Sequence, residues 1–163
     1  MKISDPEQLI NYKMRKLILL LTLAFPLFTL AQKQDTTIFI GAKKIVVKNT
    51  ATAKDNYTAA GVRLINNGYS IDKKDQEFNL ITSQPKEIEG RNYYRQLIFE
   101  VIAKDNEIII TPKTKRLNNA MGSLGSENLF EEVSYSKAKL AIDVYTRLSE
   151  LAKSIGGKII YSE

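Results

Sequence analysis

Hydrophobic and polar positions change their period several times along the chain, and each change marks an element. Lys13 to Ala31, KMRKLILLLTLAFPLFTLA, opens on basic residues and continues as a mostly apolar run. Thr37 to Ile40 and Lys44 to Lys48 are β-rich, with Gly41-Ala42-Lys43 between them. Glycine within a strand pattern often marks a bulge, so this region reads as one bulged strand or two short ones. Ile45-Val46-Val47 is continuously apolar, the pattern of a central or doubly covered strand. The period then lengthens. Ala53, Tyr57, Ala60 and Leu64 recur at helical spacing, with Lys54, Asp55, Arg63 and Asn66 outside the stripe. Asn49 or Thr50 is the expected N-cap, and Asn67-Gly68 the expected exit.

Gly68 to Pro85, GYSIDKKDQEFNLITSQP, is the stretch around which the rest is arranged. Tyr69 and Ile71 alternate with polar neighbours, as do Phe78 and Leu80, and Asp72 to Glu77 reads as a charged turn between them. Ile81-Thr82-Ser83 runs towards Pro85, which interrupts ladder pairing. Asn92 to Ala103 is rich in aromatic and β-branched residues, with Leu97, Phe99 and Val101 on one face. Lys104-Asp105-Asn106 turns the chain, and Glu107 to Thr111 returns as far as Pro112, which predicts a hairpin. Lys113 to Ser126 carries no packing pattern and is expected to be a loop. Glu127 to Val133 is an early helical turn or a short separate helix. The strongest helical stripe follows: Ala138, Ala141, Tyr145, Leu148, Ala152 and Ile155, widened by Leu140, Val144 and Leu151. Gly156-Gly157 caps it, and Lys158 to Tyr161 fits a short last strand. These elements predict an α+β fold, an antiparallel sheet packed on a long C-terminal helix in the order β-α-β-β-β-α.

Composition adds an address. In the Lys13 to Ala31 run, Lys13, Arg15 and Lys16 form a basic region, and Thr29-Leu30-Ala31 places small residues for cleavage before Gln32. The apolar run is shorter than the roughly 20 residues of a spanning helix, and Pro26 interrupts it. The pattern predicts a signal peptide over 14–31, a single α+β domain over 32–163, and a periplasmic or extracellular location. Residues 1–13 are polar and precede the basic region, so they read as an over-long start. The 163 residues carry 24 Lys and Arg against 18 Asp and Glu. Removing Lys2, Lys13, Arg15 and Lys16 from the first count, and Asp5 and Glu7 from the second, leaves 32–163 at about +4. That charge is mild and spread out, which argues solubility and not nucleic-acid binding.

Candidate chemistry is narrowed by what the chain lacks. There is no histidine, which removes the Ser-His-Asp and Cys-His nucleophilic arrangements and the usual zinc sites. There is no cysteine, so neither a disulfide nor a lipid anchor at the signal junction is expected. Ser134-Tyr135-Ser136-Lys137 has no supporting β-lactamase-type motif and reads as a helix start. Gly156-Gly157-Lys158 lacks the spacing of a phosphate loop, as does Gly122 to Ser126 that of a dinucleotide site. Glu87 and Glu89 are expected in a solvated turn, not as an acid/base pair. Asp72, Asp75 and Glu77 lack the glycine and final glutamate of a calcium loop. Asn56-Tyr57-Thr58 is a glycosylation sequon that reads as helix surface. No cofactor is expected and no enzymatic activity. Lys113, Lys115 and Arg116 form the candidate contact patch. With Lys43, Lys44 and Lys48 it would face an envelope protein, anionic head groups or cell-wall polymers; the alternative is a solvated loop.

The order strand, helix, three strands, long helix resembles the helix-grip arrangement. It is carried by Asn67-Gly68-Tyr69 after the first helix, the Ile81-Thr82 strand end, the LIFEVIA–EIIIT hairpin and the Ala138 to Ile155 helix. Small envelope domains of the outer-membrane barrel-assembly lipoproteins share this order over most of Ile45 to Ile155. The resemblance implies a non-enzymatic envelope protein with a binding or scaffold role. The chain departs from those lipoproteins in lacking their lipid-attachment cysteine, so their tethering is not implied. In helix-grip folds the long helix can stand off the sheet, which implies a second class of function, a carrier of an apolar ligand. Tyr94, Phe99, Tyr135 and Tyr145 would then line the cavity; the alternative is that they fill the core. The small residues of the last helix favour close packing on the sheet within a monomer over a coiled-coil dimer seam.

Overall fold

A computed structural model describes residues 34–117 and 129–163. The expected start over 1–13, the signal segment 14–31 and the Gly122 to Ser126 loop lie outside the described residues. The elements are β1 (Gln34–Asp35), β2 (Lys44–Lys48), α1 (Ala53–Asn66), β3 (Ile71–Asp75), β4 (Leu80–Ser83) and β5 (Lys86–Gly90). They continue with β6 (Tyr93–Lys104), β7 (Glu107–Arg116), β8 (Glu131–Glu132), α2 (Lys139–Ile155) and β9 (Lys158–Ser162). Among the described residues this is an α+β fold with one antiparallel sheet of nine strands and two helices. Its main path runs β1-β9-β2-β7-β6-β4-β3, with β5 added to β6 and β8 added to β7. Neither helix is long and apolar enough to cross a membrane.

The β6–β7 hairpin is the spine, in register from Arg95↔Arg116 to Lys104↔Glu107. Successive side chains of a strand point to opposite faces. Leu97, Phe99 and Val101 of β6, with Ile108 and Ile110 of β7, lie on the face shared with Ile45, Val47 and Ile81. Ala60 and Leu64 of α1 and Val144, Leu148 and Leu151 of α2 complete this cluster, so both helices pack on one side of the sheet. Tyr145 seals its far end. Its buried hydroxyl donates to the Ala42 carbonyl and lies 3.1 Å from that of Val133.

A polar knot fixes the start of α1 on the hairpin turn. Asn56 is buried; its amide donates to the Lys104 carbonyl at 2.8 Å and its Oδ1 accepts from Asn49 at 2.7 Å. The Ala53 N–H donates to Asp105 Oδ1 at 2.7 Å. The N-cap is Thr52, whose hydroxyl accepts the Asp55 N–H. It is neither Asn49 nor Thr50, because Asn49 is committed to Asn56 and to the Ala51 N–H. For the same reason the sequon asparagine is core, not helix surface.

The structure departs from the sequence pattern at several other places. Thr37 to Ile40 is not a strand: Asp35 turns the chain by accepting the Thr37 N–H, and Ala42 donates back to Phe39. Asp72 to Asp75 is strand, not turn. The turn comes later, where the Asp75 carboxylate accepts the N–H groups of Glu77 and Phe78. An edge strand tolerates such charge. Phe78 is left in that turn and exposed. The chain resumes after Pro85 as β5, so Glu87 and Glu89 are strand residues. Pro112 does not end β7. Its carbonyl accepts the Val133 N–H, so its ring nitrogen also faces away from β6, and no β6–β7 bond is lost. Glu131–Glu132 form β8, not a helical turn. Ala138 is an exposed N-cap outside the helical stripe. By contrast, the short last strand expected over Lys158 to Tyr161 is present as β9, and it pairs with all of β2, from Lys44↔Ser162 to Lys48↔Lys158. Gly157 permits this, since a Cβ there would sit 2.4 Å from the Lys48 carbonyl oxygen.

Leu148 is wholly buried between α2 and the sheet. Leu148→Ala is expected to destabilise the domain by about 2–5 kcal/mol through lost transfer energy and a cavity. Urea denaturation checks this, and the loss should be the same at every protein concentration. A midpoint that moves with concentration would place the helix in an intermolecular seam instead.

Candidate interaction surfaces

The alternation that builds the core also builds a second face. In direct register across five strands stand Ile160 of β9, Val46 of β2, Ile109 of β7, Ile102 of β6 and Leu80 of β4. All five lie opposite in parity to the core residues and are absent from the helix-packed cluster. Val46, on β2, is 6% exposed; the other four are half-buried. Each row on that face is two residues, or roughly 6–7 Å, from the next. One neighbouring row is Lys158, Lys48, Glu107 and Lys104. The row on the other side includes Ser162, Lys44, Thr111, Glu100, Thr82 and Lys73. Both glutamates are already paired. Glu107 meets Lys48 in a close ion pair and Lys104 at 3.6 Å, and Glu100 accepts from Lys113 at 2.8 Å. The apolar row therefore runs between borders in which lysine is in excess.

The expected contact patch divides between the two faces. Lys113 and Lys115 lie on the outer face with the lysine borders, whereas Arg116 points to the helix side of the sheet, opposite Arg95. All three belong to β7 and not to a loop.

The four expected cavity residues do not meet in one place. Phe99 is core, edge-on to Tyr69 at 4.8 Å. Tyr94 is on the outer face, donating to Glu87 at 2.7 Å. Tyr135 and Tyr145 do come together, edge-on at 5.3 Å. With Ile38, Ile142 and Tyr161 they line an open groove of about 300 Å3 beside α2. The Ser149 and Tyr161 hydroxyls face each other there at 3.2 Å, and Lys153 stands at the rim.

A polar clamp holds the first turns of α2 to β6. The Tyr93 hydroxyl donates to Asp143, which also accepts from Lys139 at 2.8 Å. Lys139, and then the Tyr93 hydroxyl, hold Asp143 below the usual carboxylate range. Desolvation, reinforced by the Asp143 acceptor, pushes Tyr93 up to about 12. One group is thus ionised and the other protonated across the neutral range. The Lys48 contact likewise holds Glu107 below its ordinary value. Burial raises Tyr145 and Tyr69, the latter against the opposing pull of Arg147.

No protein-family model matches the chain, and no curated protein does.

The residue types of the outer row do not mark it as a site, although Ile108-Ile109-Ile110 carries its signal: three isoleucines in succession in a strand place apolar side chains on both faces.

The Glu107 pairs set an acid limit on stability. Glu107 is depressed in the folded state, so its contribution is present above the unfolded carboxylate pKa and is lost as pH falls through the folded one. Lys48→Met should therefore lower the melting temperature near neutrality, and the difference should shrink towards zero in acid. Tyr93 is raised, so the opposite sign applies: its contribution is present below the unfolded tyrosine pKa and is lost as pH rises through about 12. Ultraviolet titration of the phenols should lose its component near pH 12 in Tyr93→Phe.

Proposed function

We propose that the protein is an exported, non-enzymatic domain of a bacterial cell envelope that works by binding, either as an adaptor or as a scaffold. The observation that carries the reading is the outer sheet face. Neither helix packs on its apolar row, and its borders are rich in lysine. A row of this kind costs solubility unless something uses it. The signal pattern before Gln32 and the lack of histidine and cysteine support the rest. We read α2 over the sheet as a helix-grip arrangement, in keeping with the likeness to barrel-assembly lipoprotein domains. The partner is an envelope protein or an anionic envelope surface, the protein itself is a monomer, and no cofactor, lipid anchor or nucleic acid takes part. Fractionation of cells carrying a C-terminally tagged chain tests export. The tagged protein should leave the cytoplasm with an N-terminus at Gln32; a cytoplasmic protein that retains Leu17 to Ala31 would sink the reading.

A second reading, a carrier of an apolar ligand, draws on the groove lined by Ile38, Tyr135, Ile142 and Tyr161. Native mass spectrometry of the purified protein separates the two. The carrier predicts a co-purifying lipid-sized adduct that Ile142→Glu removes; the adaptor predicts the bare chain mass.

A further inference from the structure

We propose that the outer face of the sheet is the seat for an acidic amphipathic helix of a partner protein. The inference rests on the binding reading above and supplies its occupant. The apolar row Ile160, Val46, Ile109, Ile102 and Leu80 crosses five strands without a break. At about 4.8 Å between strands it is about 19 Å long, the length of about 13 helical residues. It is one residue wide, because both neighbouring rows are polar. A single apolar stripe is what one helix presents, whereas a second sheet would need several such rows. Backbone pairing has no part here, since a face, unlike an edge, offers no free N–H or carbonyl groups.

Charge complementarity selects the partner. Lys158, Lys48 and Lys104 border one side of the row, and Lys44 and Lys73 the other. Against them stand Glu107 and Glu100, which lysines already neutralise. A helix lying in the row turns its flanking positions towards these borders. Carboxylates there gain, and ammonium groups are repelled. A second copy of this chain would bring lysine borders against lysine borders. An anionic bilayer surface would also meet the lysines, which the vesicle probe below tests.

The test uses the purified protein and three probes. The first is a synthetic 14-residue amphipathic helix with a leucine stripe flanked by glutamate. The second is the same helix with lysine for glutamate, and the third is a vesicle of anionic phosphatidylglycerol. The acidic helix should bind about tenfold or more tighter than the basic one, as a few exposed ion pairs allow. That preference should fade in high salt, and the shifted amide resonances should map to Val46, Ile102 and Ile109. Lys44→Glu with Lys158→Glu should reverse the preference while leaving the melting temperature near that of the wild type. Neither lysine takes part in an ion pair named above, so a purely structural role would not move it. Ile109→Thr should weaken both helices. Equal binding of the two helices, binding to the vesicle alone, or a wild-type protein that sediments as a dimer through this face would each overturn the assignment. None of these outcomes bears on export, which fractionation decides separately.

Discussion

Strand geometry sends neighbouring side chains to opposite faces, and the hairpin from Tyr93 to Arg116 carries apolar residues on both, at Val101, Ile108 and Ile110 on one and at Ile102 and Ile109 on the other. Two helices can cover only one of them. The covered face holds Phe99, Val101, Ile108 and Ile110 at almost no exposure, with Leu64 of α1 and Leu148 of α2 above them. Each such side chain contributes about 1.5–3 kcal/mol when taken fully from water. The other face keeps Ile102 and Ile109 half-buried, in register with Val46, Ile160 and Leu80. A β-sheet that needed only to be stable would carry polar residues there. The apolar row and its lysine borders are thus the feature for which folding alone gives no reason.

Polar groups decide where the helices sit. Asn56 reaches the Lys104 carbonyl and Asn49, which anchors α1 on the hairpin turn. The Tyr93, Asp143 and Lys139 clamp anchors the start of α2 on the other end of β6. Breaking either would leave buried or half-buried polar atoms without partners, at a cost of about 1–3 kcal/mol each. The two helices are therefore fixed to opposite ends of the same strand, both on the core side of the sheet.

Much of the framework was legible in the residue pattern: β2, the buried stripes of both helices, the hairpin turn and the exit at Asn67-Gly68 lie where period and the exit signal place them, while the start of α1 does not. Several departures share a cause: local signals for turns or stops lost to strand pairing. The charged Asp72 to Asp75 reads as a turn until β4 pairs with it. Pro112 reads as a stop because its missing N–H matters only on one side, and the chain order does not say which side β8 occupies. The basic residues of β7 were legible as a patch but not as divided between two faces, which follows only once Lys113 to Arg116 are known to be strand. The outer row was hidden for a related reason. Its members come from five segments between residues 46 and 160, and only register brings them together.

On the binding reading the sheet has one face covered by its helices and one open to a partner. Carbene or hydroxyl-radical footprinting of the free protein in solution tests it most directly. Ile102, Ile109, Leu80 and Ile160 should be labelled clearly more than Ile108, Ile110 and Val101, their neighbours on the same or adjoining strands. Equal protection of the two sets would mean that the outer face is already covered in the free protein and would contradict the account.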